Sequence, residues 1–430
     1  MSISVIILAA GQGTRMKSST PKVLHAISGK AMLFYAIDVA KAISDDITIV
    51  LSHQAQRIEE IISSEYDGIK IAIQDLANFP GTGGAIRGIV PKYAKTLILN
   101  GDMPLVTDEA VASLVGAESK INMSVIELKD SSGYGRVVIE EGKVLKIVEE
   151  KDCSDEQKKI PFVNAGVYCV DSDLLMNYIP KLTNHNAQKE YYLTDIIQMA
   201  VEDNHAITPI FVQESEFKGV NSKLDLAIAE EIMQEKIKAN LMKQGVSMRL
   251  AKTIFIDSRA SFEGECILEN GVSILGKSTL KNAHIKSNSV IEDSTIINSD
   301  IGPMARVRPQ SLIEDTHIGN FVEVKKSTLK GVKAGHLSYL GDCEIGEGSN
   351  IGAGVITCNY DGKKKYQTII GKNVFVGSDS QLISPVIIAD DVMIGAGTTV
   401  TGDVASGELA ISRVPMKRVS NFFYKFFGKK

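Results

Sequence analysis

The sequence predicts two architectures in one chain: an α/β half built on a mostly parallel sheet, followed by a parallel β-helix. Two observations carry this. Over the first 220 residues short apolar runs alternate with longer helical patterns, the rhythm of βαβ units with helices on both faces of a sheet. Beyond about residue 250, aliphatic side chains recur at every sixth position, as in Ile370, Val376, Leu382, Ile388, Ile394 and Val400. A period of six fits neither an α-helix nor a plain alternating strand. It fits a solenoid in which each six-residue unit forms one flat face and three faces complete a coil.

In the first half, Ser4–Ala10, Ile47–Leu51, Lys70–Gln74 and Leu97–Asn100 read as buried strands, and Met32–Ser44 and Ile58–Ser64 as helices. Ligands of such sheets sit beyond the carboxyl ends of the strands. Gly11 and Asp102 both follow strand ends, so they stand where chemistry is expected. Lys223 to about Gly245 is charged, free of Pro, and apolar at helical spacing, which predicts a linking helix. The chain thus divides into residues 1–222, a helix at 223–245, and 246–430. Within the last segment Ile345 and Ile351 keep the six-residue step, as do Ile301, Val307 and Ile313, and Ile285, Ile291 and Ile297. Gly346, Gly352, Gly371, Gly377 and Gly395 are expected to permit close turns. The stretch Cys358–Thr368 (CNYDGKKKYQT) is too polar to stack and is expected to leave the solenoid as a loop. Period alone leaves the hand of the coil open.

Composition narrows the function classes. Lys and Arg total 47 against 52 Asp and Glu, a net charge of −5, which excludes a protein that coats nucleic acid. With 44% hydrophobic and 23% charged residues the chain is globular rather than disordered. Five cysteines without a C-x-x-C pair argue against a disulfide framework or a zinc knuckle. The run Val5 to Ala10 is too short for a signal or a membrane span, and no window of 18 apolar residues occurs. The expectation is a cytoplasmic protein without an integral membrane segment. The last 20 residues hold six Lys or Arg, no acid, four Phe and one Tyr. They read as a segment that packs on a neighbouring subunit, with a peripheral membrane contact as the alternative.

The run LAAGQGTRM (8–16) places a Gly loop after the first strand. It lacks the third Gly of a dinucleotide fingerprint and the Lys-Ser/Thr of a P-loop. Backbone N–H groups in such a loop still approach phosphates, and Arg15 and Lys22 add positive charge. Taken alone, Asp102 also suits a turn cap, Asn221 a helix N-cap, and Glu149 a solvated charge.

LAAGQGTRM followed by PKVLH (21–25), NGDMP (100–104), GYGR (133–136), IVEEKD (147–152), VNAG (163–166) and GVNSKLDL (219–226) together resemble the sugar-1-phosphate nucleotidylyltransferases. Their order and spacing are similar to those of the bifunctional N-acetylglucosamine-1-phosphate uridylyltransferase and glucosamine-1-phosphate N-acetyltransferase family. The resemblance implies that residues 1–222 form a Rossmann-like uridylyltransferase (pyrophosphorylase) domain that turns UTP and GlcNAc-1-phosphate into UDP-GlcNAc and pyrophosphate. It implies Mg²⁺ held by Asp102 and Asn221, and nucleotide contacts from Leu8, Ala9, Ala10, Gly11, Lys22, Gln74, Gly81 and Thr82. Sugar contacts fall on Gly135, Glu149 and Asn164, and Asn221 touches the UDP-GlcNAc. Arg15 and Lys22 stabilise charge on the departing pyrophosphate. One departure stands out: two extra residues lie between Gln74 and Gly81, with Pro80 where the family has Leu.

The solenoid carries AGHLSYLGD (334–342), NIGAGVITCNYDG (350–362), FVGSDS (375–380) and AISRVP (410–415), which resemble the acetyltransferase half of the same family. The resemblance implies a left-handed parallel β-helix of hexapeptide repeats over 246–430. N-acetylation needs a neutral amine, and His336 is the candidate base because His titrates near pH 7 without perturbation. Arg308 and Lys325 match residues that hold the phosphate of glucosamine-1-phosphate, a solvated face being the plainer reading of Lys325. Tyr339, Asn350, Asn359 and Tyr360 match sugar contacts. Ala353, Ser378, Ala396 and Arg413 match the acetyl-CoA site, where Ser378 also stabilises the oxyanion. Flat apolar faces on each coil fit the homotrimer of the family, with three acetyltransferase sites between subunits. Two other readings stay open: a nucleotidylyltransferase whose solenoid is only an oligomerisation module, and a non-catalytic sensor built from both folds.

Overall fold

The computed structural model describes residues 2–428, so the last two lysines of the basic, aromatic tail lie outside the described residues. The chain splits into two compact units, one ending at Met233 and the other beginning at Gln234.

The first unit is organised by one twisted sheet. Its strands are β1 (Ser4–Leu8), β2 (Asp46–Leu51), β3 (Ile69–Ile73), β4 (Lys95–Asn100), β5 (Ile121–Glu127), β6 (Arg136–Glu140), β7 (Lys143–Val148), β8 (Phe162–Asp171) and β9 (Ile207–Phe211). The order across the sheet is β9-β5-β8-β4-β1-β2-β3, and β6 joins β8 to the hairpin partner β7. β1, β2, β3 and β4 run parallel, and β9 runs parallel to β5. β8 runs antiparallel to both β4 and β5, so the sheet is mixed where the sequence alone suggested a mostly parallel one. The β6–β7 hairpin reverses the chain, with Glu141 and Gly142 both at positive φ (50° and 75°), a turn that matches strand twist.

Alternate strand residues bury on opposite faces. Val5, Ile7, Leu97 and Leu99 join a core with Leu33, Ile37, Ile58, Ile62 and Leu114 from three helices. Ile6, Ile98, Met123 and Val125 join a second core with Ile86, Leu175, Ile196 and Ile197. The helix Lys223–Lys243 runs across the boundary between the units. In its first part Ala229 packs with Ile27, Met32, Leu105 and Val220. In its second part Gln234 exchanges two bonds with the Ile256 backbone, at 2.6 and 3.0 Å, and the Lys238 ammonium donates to Ile254 O at 3.0 Å.

The second unit is a three-sided parallel β-helix. Three sheets of 10, 9 and 8 short strands form its sides, each strand pairing with the third one on in the chain except at the last pair, Met393–Ile394 with Leu409–Ala410, which are two apart. Ile256 stands beside Ile274, then Ile291, Val307, Val324 and Leu340, so a coil takes 16 to 18 residues. The inward residue between Ile291 and Ile301 is Ile296, fully buried, rather than Ile297. The step shrinks to five there because a tight corner uses one residue fewer. The glycines of the repeat act by letting coils approach rather than by turning the chain: a Cβ at Gly346 would lie 2.8 Å from Gly371, and one at Gly377 would lie 2.7 Å from the Ala396 Cα. The polar break leaves the solenoid between Ile356–Cys358 and Thr368–Ile370, closed by a Tyr360–Lys365 bridge. Outward faces are not uniformly apolar. The early coils present Arg306, Glu323 and Lys325, while the last coils expose Ile369, Phe375, Ile387, Met393 and Leu409.

Candidate active sites

In the first unit the predicted residues line one continuous cleft at the carboxyl ends of β1 and β4. A cavity of about 580 Å³ is lined by Leu8, Ala9, Ala10, Gly11, Lys22, Gln74, Gly81, Thr82 and Asp102. A second, of about 510 Å³, shares Asn100 and Asp102 with it and adds Arg15, Asn164 and Asn221. A third, of about 100 Å³, holds Glu149, Asn164 and Thr82.

The Gly loop is shaped by Lys22. Gly13 adopts φ +63°, and a Cβ there would meet the Lys22 Cβ at 2.5 Å, so a side chain at 13 would push the lysine from the cleft. The Lys22 ammonium lies on the Asp102 carboxylate and donates to Asn221 Oδ1 at 2.8 Å. Arg15 Nη2 reaches the same Asn221 oxygen at 2.9 Å. Asp102 and Asn221, 119 positions apart in the chain, therefore converge on one point already occupied by a cationic group. A carboxylate and an amide oxygen are a hard donor set, so the pair fits a Mg²⁺ that keeps water and phosphate as its other ligands.

Asn221 is free to point inward because its neighbour caps the helix. Asp225 N donates to Ser222 Oγ at 3.2 Å, and Asp225 Oδ2 accepts from the N–H groups of Ser222 (2.9 Å) and Asn221 (3.1 Å). This is a capping box with Ser222 as N-cap.

Gln74 is buried at the cleft floor, and its amide donates to Phe79 O (3.1 Å) and Gly81 O (2.8 Å). Both N–H groups are thereby held by the turn that carries the two extra residues, leaving Oε1 as the acceptor. That turn is closed by Phe79 N to Asp75 O at 2.8 Å and by Phe79 packing under the Arg87 guanidinium and against Tyr191. Gly81 (φ +96°) leaves room for Tyr191 O, 2.7 Å from where its Cβ would be. Thr82 Oγ1 accepts from Leu193 N at 3.0 Å.

At the other end, β8 bulges between Asn164 and Tyr168, a common device beside active sites. Asn164 Oδ1 accepts from Gly166 N at 3.0 Å, and Gly166 O accepts from the Asn100 amide at 2.9 Å. Glu149 accepts from Thr194 Oγ1 at 3.0 Å; burial raises its pKa, more than that bond lowers it. Asp195 is pushed up to about 6, by burial first and then by Glu149 and Asp152. Asn100, Glu190 and Thr194 line the cleft but were not singled out from the sequence. Asn100 stood inside NGDMP at a strand end and was legible; Thr194 comes from a segment with no motif.

On the solenoid the predicted residues fall on two neighbouring features. One is a corner. Asn320 pairs with His336, and Ala353, Ser378 and Ala396 follow in later coils, linked by Asp379 N to Ala353 O and Gly397 N to Ser378 O, both 2.8 Å. Arg413 Nε closes the column on Ala396 O at 3.1 Å. His336 is exposed at the end of its strand Lys333–His336. The other feature is a face: Arg308 pairs with Lys325 and Lys325 with Gly341, while Tyr339 covers Gly341, its hydroxyl 2.5 Å from where a Cβ would be. Arg308 Nη1 donates to Glu323 Oε1 at 2.8 Å, Lys325 lies 3.6 Å from Asp342, and the Asn359 amide donates to the same carboxylate. Lys365 reaches in from the loop, its pKa lowered first by the neighbouring Lys325. Three cations on one face suit a phosphate. Lys365 was missed because its place depends on how the loop folds back. Tyr360 is exposed on that loop. Asn350 is not brought to this face; it pairs with Lys333 and Phe375 on the adjacent side of the prism.

Residues 5–159 match the family model for the MobA-like NTP transferase domain, and residues 367–402 match that for the bacterial transferase hexapeptide, six repeats. The hexapeptide repeat and the three parallel sheets are together consistent with a left-handed β-helix. Over 430 residues, all of both chains, the sequence is 66% identical to the bifunctional protein GlmU of a Sulfurovum species. The chain belongs to the GlmU family. It is 60% identical to the GlmU of a Nitratiruptor species, again over the whole of both chains. The GlmU of Wolinella succinogenes is 59% identical, with all of this chain and 99% of the relative covered. As a GlmU protein the chain is a bifunctional enzyme, a uridylyltransferase and an acetyltransferase. Among the described residues no helix is long and apolar enough to cross a membrane.

Proposed function

We propose that the two activities divide between the two sites just described. Glucosamine-1-phosphate is N-acetylated from acetyl-CoA on the solenoid, and GlcNAc-1-phosphate then receives a uridylyl group from UTP in the cleft, in a cytoplasmic homotrimer that binds small molecules and no nucleic acid. The observation that carries the cleft assignment is the convergence of Asp102 and Asn221 on the Lys22 ammonium, with Arg15 on the same amide.

In the cleft, a phosphate oxygen of the sugar phosphate attacks the α-phosphorus of UTP, and the bond from that phosphorus to the bridging oxygen breaks, releasing pyrophosphate. No protein nucleophile is needed; positioning and charge neutralisation lower the barrier. The open Gly11 loop offers backbone N–H groups to the triphosphate, and Gln74 Oε1 is left to accept from the uracil N3–H. Arg15 and Lys22 stand where charge grows on the departing group. Gly135, Glu149 and Asn164 take the sugar. Mg²⁺ held by Asp102 and Asn221 would neutralise phosphate charge when bound.

On the solenoid, the amine attacks the thioester carbonyl, His336 takes its proton, and the C–S bond breaks to release the CoA thiol. Arg308 and Lys325 hold the phosphate, and Tyr339, Asn359 and Tyr360 the sugar. Ala353, Ser378, Ala396 and Arg413 line the corner along which acetyl-CoA lies, and the N–H and hydroxyl of Ser378 face the oxyanion. Asn350, on the adjacent side, comes from a second copy.

The test is product analysis by mass spectrometry with glucosamine-1-phosphate, acetyl-CoA, UTP and Mg²⁺, omitting each in turn. His336→Ala is expected to abolish acetyl transfer, by at least about 10²-fold, and to leave uridylyl transfer intact. Asp102→Ala is expected to do the reverse. Loss of both activities from either single change in a folded protein refutes the division.

A further inference from the structure

Arg136 is 1% exposed, although a buried guanidinium is costly unless it is fully engaged. It sits where three strands meet, in register with Val148 of β7 and Val163 of β8. One residue further along those strands stand Glu149 and Asn164, and one residue before Arg136 stands Gly135. The three residues assigned to the sugar therefore form a single row bordering Arg136. Asn164 N donates to Gly135 O at 2.8 Å, and a Cβ on Gly135 would lie 3.4 Å from Glu149 Oε2.

The guanidinium ties the ends of this row together. Its Nη1 donates to Tyr134 O, in the residue before Gly135. The same nitrogen lies 2.6 Å from Glu150 Oε2, in the residue after Glu149, as an ion pair without hydrogen-bond geometry. Its Nε is buried without a hydrogen-bond partner, so the polar contacts it makes go to the two segments that flank the pocket. We infer that Arg136 is a positioning residue for the uridylyl-transfer site: by holding Tyr134 and Glu150 it fixes the gap between the Gly135 backbone and the Glu149 carboxylate, and so sets affinity for the sugar phosphate. This rests on reading that pocket as the sugar site.

The test varies GlcNAc-1-phosphate and UTP separately in Arg136→Met, Arg136→Lys and Glu150→Gln, with Asn164→Ala as a probe of the pocket itself. Acetyl transfer and the unfolding midpoint report folding. Arg136→Met is expected to raise KM for GlcNAc-1-phosphate about tenfold with KM for UTP unchanged. Arg136→Lys, which keeps the charge, recovers part of the loss, and Glu150→Gln shifts the same KM by less. A merely structural arginine would lower the amount of active enzyme and leave both KM values where they were. That result, or equal shifts in both KM values, overturns the inference. Should Arg136→Met fail to fold, Arg136→Lys and Glu150→Gln decide alone. If Asn164→Ala raises the sugar KM and these variants do not, only the role of Arg136 falls; if Asn164→Ala leaves it unchanged, the reading of the pocket falls with it.

Discussion

Asp225 shows how a single side chain links folding to chemistry. Burial alone would raise its pKa, but the Ser222 hydroxyl and the backbone N–H groups of Asn221 and Ser222 outweigh that and hold it below the ordinary carboxylate value. Asp225→Ala removes the capping box and is expected to cost about 1 kcal/mol of stability. It should also lower uridylyl transfer while sparing acetyl transfer, because Asn221 loses its backbone anchor; assays of both activities on one preparation check this. Asp195 works in the opposite sense. Its pKa is raised to about 6 by burial and by Glu149 and Asp152, so its ionised form is penalised in the fold. A raised acid pKa costs almost nothing below the unfolded value and costs most above the folded one. Asp195→Asn should therefore match the parent in unfolding at about pH 3, below the ordinary Asp value. Above pH 7 it should gain about 1 kcal/mol, a figure reduced for solvent screening. Sequence alone placed Asp102 at a strand end, while Lys22 and Asn221 were legible through the motifs PKVLH and GVNSKLDL that resemble the family's. It could not point to Thr194 or Glu190, whose contacts with Glu149 and the cleft exist only after a loop far along the chain folds across.

At the scale of elements, the corners decide whether the solenoid coils. Asn282, Asn298 and Asp315 occupy one corner in successive coils, all at left-handed φ of 47°, 47° and 50°. Their side chains form a ladder, Asn282 Nδ2 to Asn298 Oδ1 and Asn298 Nδ2 to Asp315 Oδ1, each 3.1 Å. Asn298→Ala loses both bonds and meets the left-handed penalty, together about 2 kcal/mol. Asn298→Gly loses the bonds alone and should cost about half that. Thermal unfolding of the two variants separates conformation from hydrogen bonding; equal costs would mean the backbone term is absent. The six-residue period was visible in the sequence because the aliphatic positions point inward, one per face. The five-residue step at Ile296 was not visible, because Ile296 and Ile297 are adjacent aliphatics and only the corner tells which one turns in. The antiparallel β8 was hidden for a similar reason: direction depends on the β6–β7 hairpin that precedes it, not on the composition of the strand.

For the whole molecule, the faces of the prism argue for assembly. Phe375 pairs with Met393 and Met393 with Leu409, and these side chains are 48%, 51% and 56% exposed. A contiguous row of large apolar groups on adjacent strands marks an interaction surface. Asn350 lies next to Phe375 in the same row, while the Arg308, Lys325 and Tyr339 face belongs to another side of the prism. In the proposed site one copy supplies the cations and another the asparagine. A trimer of prisms satisfies this three times over and covers the apolar rows as it does so. The expected solution mass by analytical ultracentrifugation is therefore three times the 46.5 kDa chain. Met393→Asp puts a charge into the covered row and is expected to yield smaller species that lose acetyl transfer and keep uridylyl transfer, since every residue assigned to the cleft lies in the first unit. A monomer with undiminished acetyl transfer would show that one prism suffices, and the shared site would have to be abandoned.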